Sequence, residues 1–446
     1  MKFSRPSGMK AFTIVWFGQL ISLTGSSMTF FALTIWAWEK TGQATALGLV
    51  GFFGLAPQVI FSPIAGALVD RWNRKTSMIL SDLGTAFGML VVLLLFMSDS
   101  LEIWHLYILA MISGTFQTFQ WPAYSSAISV MIPKDQFTRS SAMISLAEWG
   151  SGIWAPVLAA ALLGRLKLSG IITIDLITMS LAVITLLIVT IPNPSKSVEG
   201  ESSKGSIWKE SLFGFKYILA KPSLLRLQMI FFFGNFFAAF LGILNSPMIL
   251  ARTGNDATTL GSVQSIAAIG GVIGSLIITA WGGFKTRKVR GVLLGWIFSG
   301  FFFFFVGIGQ GILWWGTFLF LSSLVIPLVN SSNQAIWQSK VPPDLQGRVF
   351  SVRRLIAQIV NPLGLLIAGP LADKIFEPAF SFPNNEITLL LSNWYEPGPG
   401  AGMGVLISIA SMMIVFVGVY GFFSKTVREV ETIIPDFDAE KKQAHI

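Results

Sequence analysis

Cysteine is absent from these 446 residues, so disulfides, thiolate nucleophiles and Cys-ligated metal sites are excluded, and redox compartment leaves no trace. Charge is scarce as well: 12% of residues are charged, where soluble domains carry about 25%. Histidine occurs only twice, as His105 at the edge of an apolar run and His445 near the end of the chain. With no H-E-x-x-H pattern, no Cys and two distant His residues, a membrane-embedded enzyme would lack the usual zinc and nucleophile constellations. No Walker A pattern occurs, so ATP is not a direct fuel and no cofactor is expected. Alternating period-two strands are missing too, which disfavours a membrane β-barrel.

What is present is apolar. The composition is 53% hydrophobic, with a mean hydropathy of +0.69. About 20 apolar residues cross a hydrocarbon core of roughly 30 Å. Twelve such stretches begin near Phe12, Ala46, Met78, Ile103, Ala142, Ile171, Leu224, Leu260, Val292, Ile312, Val349 and Gly402. The basic N-terminus resembles a signal peptide, but its apolar run continues to about Ala37 without a small-residue cleavage pattern, so it reads as a retained first helix. The net charge of +9 is distributed by side: of the 31 Lys and Arg, all but Lys40, Arg165, Lys167, Arg252 and Lys374 fall with the termini and the even-to-odd loops. The positive-inside rule then places both termini in the cytoplasm and accounts for the surplus without a nucleic-acid partner.

The chain repeats itself. "ATALGLV" from Ala44 is echoed by "ATTLGSV" from Ala257, a shift of 213, which also carries Arg74 and Lys75 onto Arg287 and Lys288. "IPKDQFTR" from Ile132 matches "VPPDLQGR" from Val341 at a shift of 209. The expected organisation is a six-helix half over 1–191, a cytoplasmic linker over 192–223 whose second part is an amphipathic surface helix, a second six-helix half over 224–424, and a cytoplasmic tail over 425–446. Two similar six-helix halves are a transporter plan, with the substrate site between them.

"GALVDRWNRK" lies between the second and third stretches. It resembles G-x-L-x-D-R-x-G-R-[RK], the loop signature of the major facilitator superfamily. Gly66, Leu68, Asp70, Arg71, Arg74 and Lys75 match, and Asn73 stands where the family has Gly. Asn tolerates left-handed backbone, so the tight turn is expected to survive there. Together with "GPLADKIFEP" at Gly369 and "GPGPGAGMG" before the last stretch, the motif is similar to the macrolide-efflux type of drug exporter. The resemblance implies an all-helical fold of twelve membrane helices in two halves. It also implies that Gly66, Asp70, Arg71, Arg74 and Lys75 form a gate latch, with Asp70 meeting a helix dipole or an Arg. Topogenic charge alone would explain the basic residues but not Asp70.

Acids inside a membrane are costly and mark ion paths by default. Glu148 lies about 12 Å along its helix from Ser140, above a small-residue stripe of Gly152, Ala155 and Ala159, and so faces protein. It reads either as a proton carrier or as a buried acid satisfied by one hydrogen bond. Ser151 to Ala160 resembles the superfamily's antiporter signature on the fifth helix, with Pro156 kept and Ser or Ala at its Gly positions. Asp82, close in sequence to Arg74 and Lys75, and Asp175 fit interfacial salt bridges or proton-path roles. Arg353 and Arg354 are expected to snorkel to headgroups.

The resemblance also implies that the first, fourth, seventh and tenth helices line the cavity. These carry Gln19 and Trp36, then Gln117, Gln120 and Trp121, then Asn235 and Asn245, then Asn330, Asn333 and Trp337. Amides and indoles among apolar walls suit an amphipathic, partly aromatic substrate, though each residue equally suits helix–helix bonding or an aromatic belt. No convergent Arg or Lys for a phosphate stands out. The expected protein is a monomeric bacterial exporter in the cell membrane, with protons, a small-molecule substrate and the lipid bilayer as its partners. A dedicated exporter or importer of a single metabolite or siderophore stands as the alternative.

Overall fold

In lipid an isolated segment must satisfy its own backbone, which a helix does. The computed structural model describes residues 6–132, 137–191, 214–341, 343–384 and 386–436, and within these every regular element is a helix. Side chains are described throughout except at 62–64, 66–71, 121, 122, 125, 126, 129, 130, 137–142, 145, 146, 148, 149, 343–348 and 351. The linker through 213 and the tail beyond 436, His445 included, therefore lie outside the described residues.

The chain runs α1 (Gly8–Thr41), α2 (Ala44–Arg71), α3 (Arg74–Met97), α4 (Ile103–Met131) and α5 (Phe137–Ile188), and then, after a short helix over 214–219, α6 (Pro222–Arg252), α7 (Ala257–Trp281), α8 (Val289–Ile308) and α9 (Ile312–Lys340). It continues through α10 (Pro343–Gln358), α11 (Val360–Leu371), a π-turn (Ala372–Phe376), α12 (Glu377–Ser381), α13 (Glu386–Leu391), α14 (Ala401–Phe423), α15 (Lys425–Arg428) and α16 (Val430–Ile433). Among the described residues ten helices are long and apolar enough to cross a membrane. One of them, the 39-residue Gly150–Ile188, would measure nearly twice a bilayer core if straight. It breaks at Lys167, whose φ of 55° and ψ of −179° are not helical, and so makes two crossings. With α4 added the crossings number twelve, as the sequence leads one to expect.

Contacts group the chain into two compact units, residues 1–204 with 255–265, and residues 205–254 with 266–446. In the first, α1 packs along α5, α2 along α4, and α3 against both α4 and α5. The α2–α4 crossing depends on glycine: a Cβ on Gly114 would sit 2.1 Å from the carbonyl oxygen of Gly54. Phe12 and Val15 of α1, Met78 of α3, Ile128 and Met131 of α4 and Leu186 of α5 close one end of this unit as a buried cluster.

In the second unit α8 packs on α9 and α14, while α14 and α11 cover α6. Here "GPGPGAGMG" has a steric reason. Gly400 sits at φ +84°, and a Cβ on Gly404 would approach the Gly307 carbonyl oxygen to 2.5 Å, so α8 and α14 meet backbone to backbone. Pro370 in α11 donates no backbone N–H, and the π-turn follows directly, which places "GPLADKIFEP" on a helix defect. Large apolar side chains such as Phe87, Phe301 and Phe416 stand exposed along the helices, as a lipid-facing surface requires. Trp104, Trp281 and Trp314 lie exposed at helix ends, the arrangement of an aromatic belt.

Candidate functional site

Five helices of the first unit line a cavity of about 340 Å³. Its wall takes Trp16, Gln19, Ser22 and Ser26 from α1, Gln58 from α2, Asp82 and Thr85 from α3, Gln117, Gln120 and Tyr124 from α4, and Ile144, Ala147 and Met179 from α5. The α1 residues step by three or four, as one helical face must. The cavity's one charge among these lining residues is Asp82. Gln120 Nε2 donates to its Oδ1 at 2.9 Å and Gln19 Nε2 to its Oδ2 at 3.2 Å, while the same Gln120 nitrogen lies 3.3 Å from Gln19 Oε1. Gln120 Oε1 is buried with no hydrogen-bond partner. Two helices, α1 and α4, thus reach the carboxylate on α3 through neutral amides. Trp16 Nε1 bonds the Met143 carbonyl at 2.7 Å, which fixes that indole in the wall.

The salt-bridge reading of Asp82 is therefore corrected. Lys75 lies about 10 Å down the same helix and turns elsewhere, its Nζ bonding the carbonyl oxygens of Leu187 and Val189 at 3.1 and 2.8 Å. Among the described residues Asp175 likewise has no ion-pair partner: it is fully buried on the second arm of α5 and accepts from Ser26 Oγ at 3.0 Å. The Glu148 side chain lies outside the described residues, although Ala155 and Ala159 of its stripe are wholly buried.

Of the latch residues, Gly66, Asp70 and Arg71 lie on α2 with side chains outside the described set. Arg74 is half-buried at the start of α3. Lys75, beyond any topogenic duty, caps the closing carbonyls of the sixth crossing, where a cation suits the negative helix end. The expectation of left-handed backbone at Asn73 is also corrected. Its φ of −69° and ψ of 119° are extended, and its side chain is the N-cap of α3, accepting from the Thr76 amide at 3.2 Å.

The remaining cavity candidates disperse. Trp36 lines a second first-unit cavity of about 490 Å³ with Glu39, Lys167 and Asp256, and Lys40 Nζ sits 5.7 Å from its ring. The Asp256 carboxyl in the connection before α7 is held below the usual carboxylate range, chiefly by the Thr259 hydroxyl. The Trp121 side chain lies outside the described residues, and Asn330 is exposed. In the second unit Asn235 bonds the Ala357 carbonyl at 3.1 Å, tying α6 to α10, while Asn333 is buried and Asn245 keeps a buried Oδ1 without a partner.

Trp337 is fully buried beneath Arg353, whose guanidinium carbon lies 5.4 Å from its ring. Arg353 does not snorkel. Its Nη1 bonds Gln334 Oε1 at 3.0 Å and it also rests near the Phe350 ring, so a basic group that the sequence reading assigned to headgroups is folded into protein. Trp16, Ser22, Gln58 and Tyr124 went unnoticed in the sequence, although stepping three or four residues from Gln19 and Gln120 reaches three of them.

Known proteins agree with this architecture. Macrolide efflux protein A of Streptococcus pyogenes is 28% identical over 382 residues, covering 82% of this chain and 90% of that protein. Multidrug efflux pump Tap of Mycolicibacterium fortuitum is 24% identical over 386 residues, covering 81% and 88%. Among solved structures, a bacterial homolog to the human lysosomal transporter Spinster superposes with a TM-score of 0.66 at 14% identity over 94% of this chain and 96% of that one. A POT family transporter reaches 0.68 at 11% identity over 93% and 96%. A family model described as Major Facilitator Superfamily matches residues 15–375, from the first turns of α1 into the π-turn, and by that match the chain belongs to the Major Facilitator Superfamily, a family of transporters.

Proposed function

We propose that the chain exports amphipathic small molecules, macrolide-like compounds among them, across the bacterial cell membrane in exchange for protons, by alternating access of its two six-helix halves over 1–191 and 224–424. One observation carries the reading: a carboxylate held by neutral amides inside an aromatic and apolar cavity. Apolar walls and the Trp16 and Tyr124 rings suit the body of an amphipath, and a lone acid suits its cationic group or a proton. A proton and a cationic substrate would compete for Asp82, and such differential affinity is what lets one flux drive the other. Among the three acids Asp82 is the carrier we favour, because Asp175 is sealed in packing with Ser26. Glu148 stays a candidate through its place in the fifth crossing. Both termini are assigned to the cytoplasm, and the working unit is a monomer in the bilayer.

The test is uptake of a radiolabelled macrolide and a panel of cationic dyes into inverted vesicles, with and without a proton gradient. Gradient-dependent uptake of several unrelated amphipaths supports the reading. Uptake of one compound alone would favour a dedicated carrier, and uptake indifferent to the gradient would remove the antiport.

A further inference from the structure

Two equivalent helices solve the same problem differently. A helix begins with backbone N–H groups that have no partner within it. At the start of α3 the Thr76 amide is capped locally by the Asn73 side chain at 3.2 Å. The repeat shift of 213 carries Thr76 onto Val289 and Asn73 onto Thr286. Local capping fails there, because Arg287 turns left-handed at φ 55° and no side chain within the loop caps α8. The Val289 amide instead donates to Glu431 Oε2 at 3.0 Å, from 142 residues further along the chain.

Glu431 is itself pinned. Lys340 at the end of α9 is almost fully buried, and its Nζ bonds the Glu431 carbonyl at 2.6 Å and Asp436 Oδ1 at 2.8 Å. Thr426 Oγ1 accepts from Arg226 of α6 at 2.7 Å, and Val427 and Val430 are wholly buried. Residues 425–436 therefore touch the ends of three helices of the second unit, each through a charge-assisted bond. At the position matching Asp70 this half carries Gly283, so its loop of Lys285, Arg287, Lys288 and Arg290 has no acid of its own.

We propose that the segment Lys425–Asp436 is a clasp on the second unit, and that Glu431 is the positioning residue that supplies to the start of α8 the cap that Asn73 supplies to α3. The clasp sets where α8 begins and gives its basic loop the carboxylate it lacks, so the state described here depends on the clasp being closed. The proposal rests on the chain being a transporter, not on the identity of its substrate.

The first measurement needs no substrate: hydrogen exchange on the purified full-length protein. Glu431→Ala should lose about fivefold protection at residues 289–292, the size of one helix cap, with the first unit unchanged. Glu431→Gln keeps an acceptor oxygen and should fall between the two. A chain ending at Asp436 should match wild type, and one ending at Ser424 should match Glu431→Ala or exceed it. Unchanged protection in Glu431→Ala, or an equal loss across the whole second unit, overturns the positioning role. The second measurement is the concentration dependence of macrolide transport at matched folded protein. A lower maximal rate at unchanged half-saturation is expected for Glu431→Ala, and a wild-type rate beside lost protection overturns the link to transport. If wild type moves no macrolide, the proposed substrate fails while the exchange result still decides the clasp.

Discussion

Gln120 of α4 sets its amide nitrogen 2.9 Å from one carboxylate oxygen of Asp82 on α3, and Gln19 of α1 holds the other at 3.2 Å. A group bonded from two other helices can report its charge to both when it gains or loses a proton. Asp82→Asn keeps the shape and one acceptor while removing the charge. Gradient-driven efflux in proteoliposomes should fall by about tenfold or more, the worth of a charge-assisted bond, while substrate exchange without a gradient persists. Wild-type gradient-driven efflux in this variant would pass the proton role to Glu148.

Lys75 separates topogenic charge from structural charge. Lys75→Met removes the donor to the Leu187 and Val189 carbonyls but leaves Arg71 and Arg74 in the loop. Insertion should be normal, and thermal unfolding in detergent should show a loss of about 0.3–1 kcal/mol, the usual value of a cation at a helix C-terminus. Unaltered stability would reduce Lys75 to a topology signal.

Gly114→Ala tests the α2–α4 crossing. The added methyl would meet the Gly54 carbonyl oxygen at 2.1 Å, and backbone cannot yield as a side chain does. A destabilisation of about 1–3 kcal/mol is expected from overpacking, with Gly88→Ala as the milder control, since its nearest neighbour is a Leu109 methyl at 3.5 Å.

Asp256 caps the start of α7 by accepting from the Thr258 amide at 2.9 Å and from the Thr259 hydroxyl. Its carboxyl is held below the ordinary range, chiefly by Thr259, so the folded state binds its proton less readily than the unfolded chain. That contribution is complete above the ordinary carboxylate value and disappears as pH falls through the depressed one. Asp256→Ala should cost about 1 kcal/mol near neutral pH, and its melting curve should converge on wild type in acid. A gap that widens on acidification would show the sign to be wrong.

The absence of cysteine makes orientation directly testable. Single cysteines at Thr286 and Asn384 should be labelled by an impermeant maleimide from opposite faces, Thr286 from the cytoplasm and Asn384 from outside. The reverse pattern would invert the proposed topology.

The crossings and the family were legible because hydropathy accumulates over about 20 residues and "GALVDRWNRK" is a local string. Part of the first-unit cavity was legible too: Gln19, Gln117, Gln120 and Asp82 stood out as polar residues in apolar runs, while Tyr124, one step of four beyond Gln120, did not. What stayed hidden was pairing between distant positions. Nothing near Asp82 in the sequence signals amides from α1 and α4, so the nearby Lys75 looked like its partner. Arg353 looked interfacial because its ring neighbour Trp337 comes from the preceding helix. Asn235 and Asn333 are the polar residues a cavity would use, yet polar groups in lipid serve helix packing equally well, and only geometry separates the two.

The π-turn at Ala372–Phe376 fixes a phase. Glu377, the next residue, sends its carboxylate to the Gly400 amide at 3.1 Å and the Met403 amide at 2.7 Å, so the last crossing starts on an acid borrowed from its predecessor. A π-turn holds one residue more than an α-turn, and one residue of α-helix is about 100° of rotation. Removing a single residue between Ala372 and Phe376 would let four residues of regular α-helix cover about the rotation that five cover now and leave Glu377 facing nearly the same way, whereas straightening the turn with all five residues kept would swing Glu377 about a quarter turn away from the amides it serves. The defect itself is the information: the last crossing keeps its acid as long as the extra residue and the wider turn are kept or lost together.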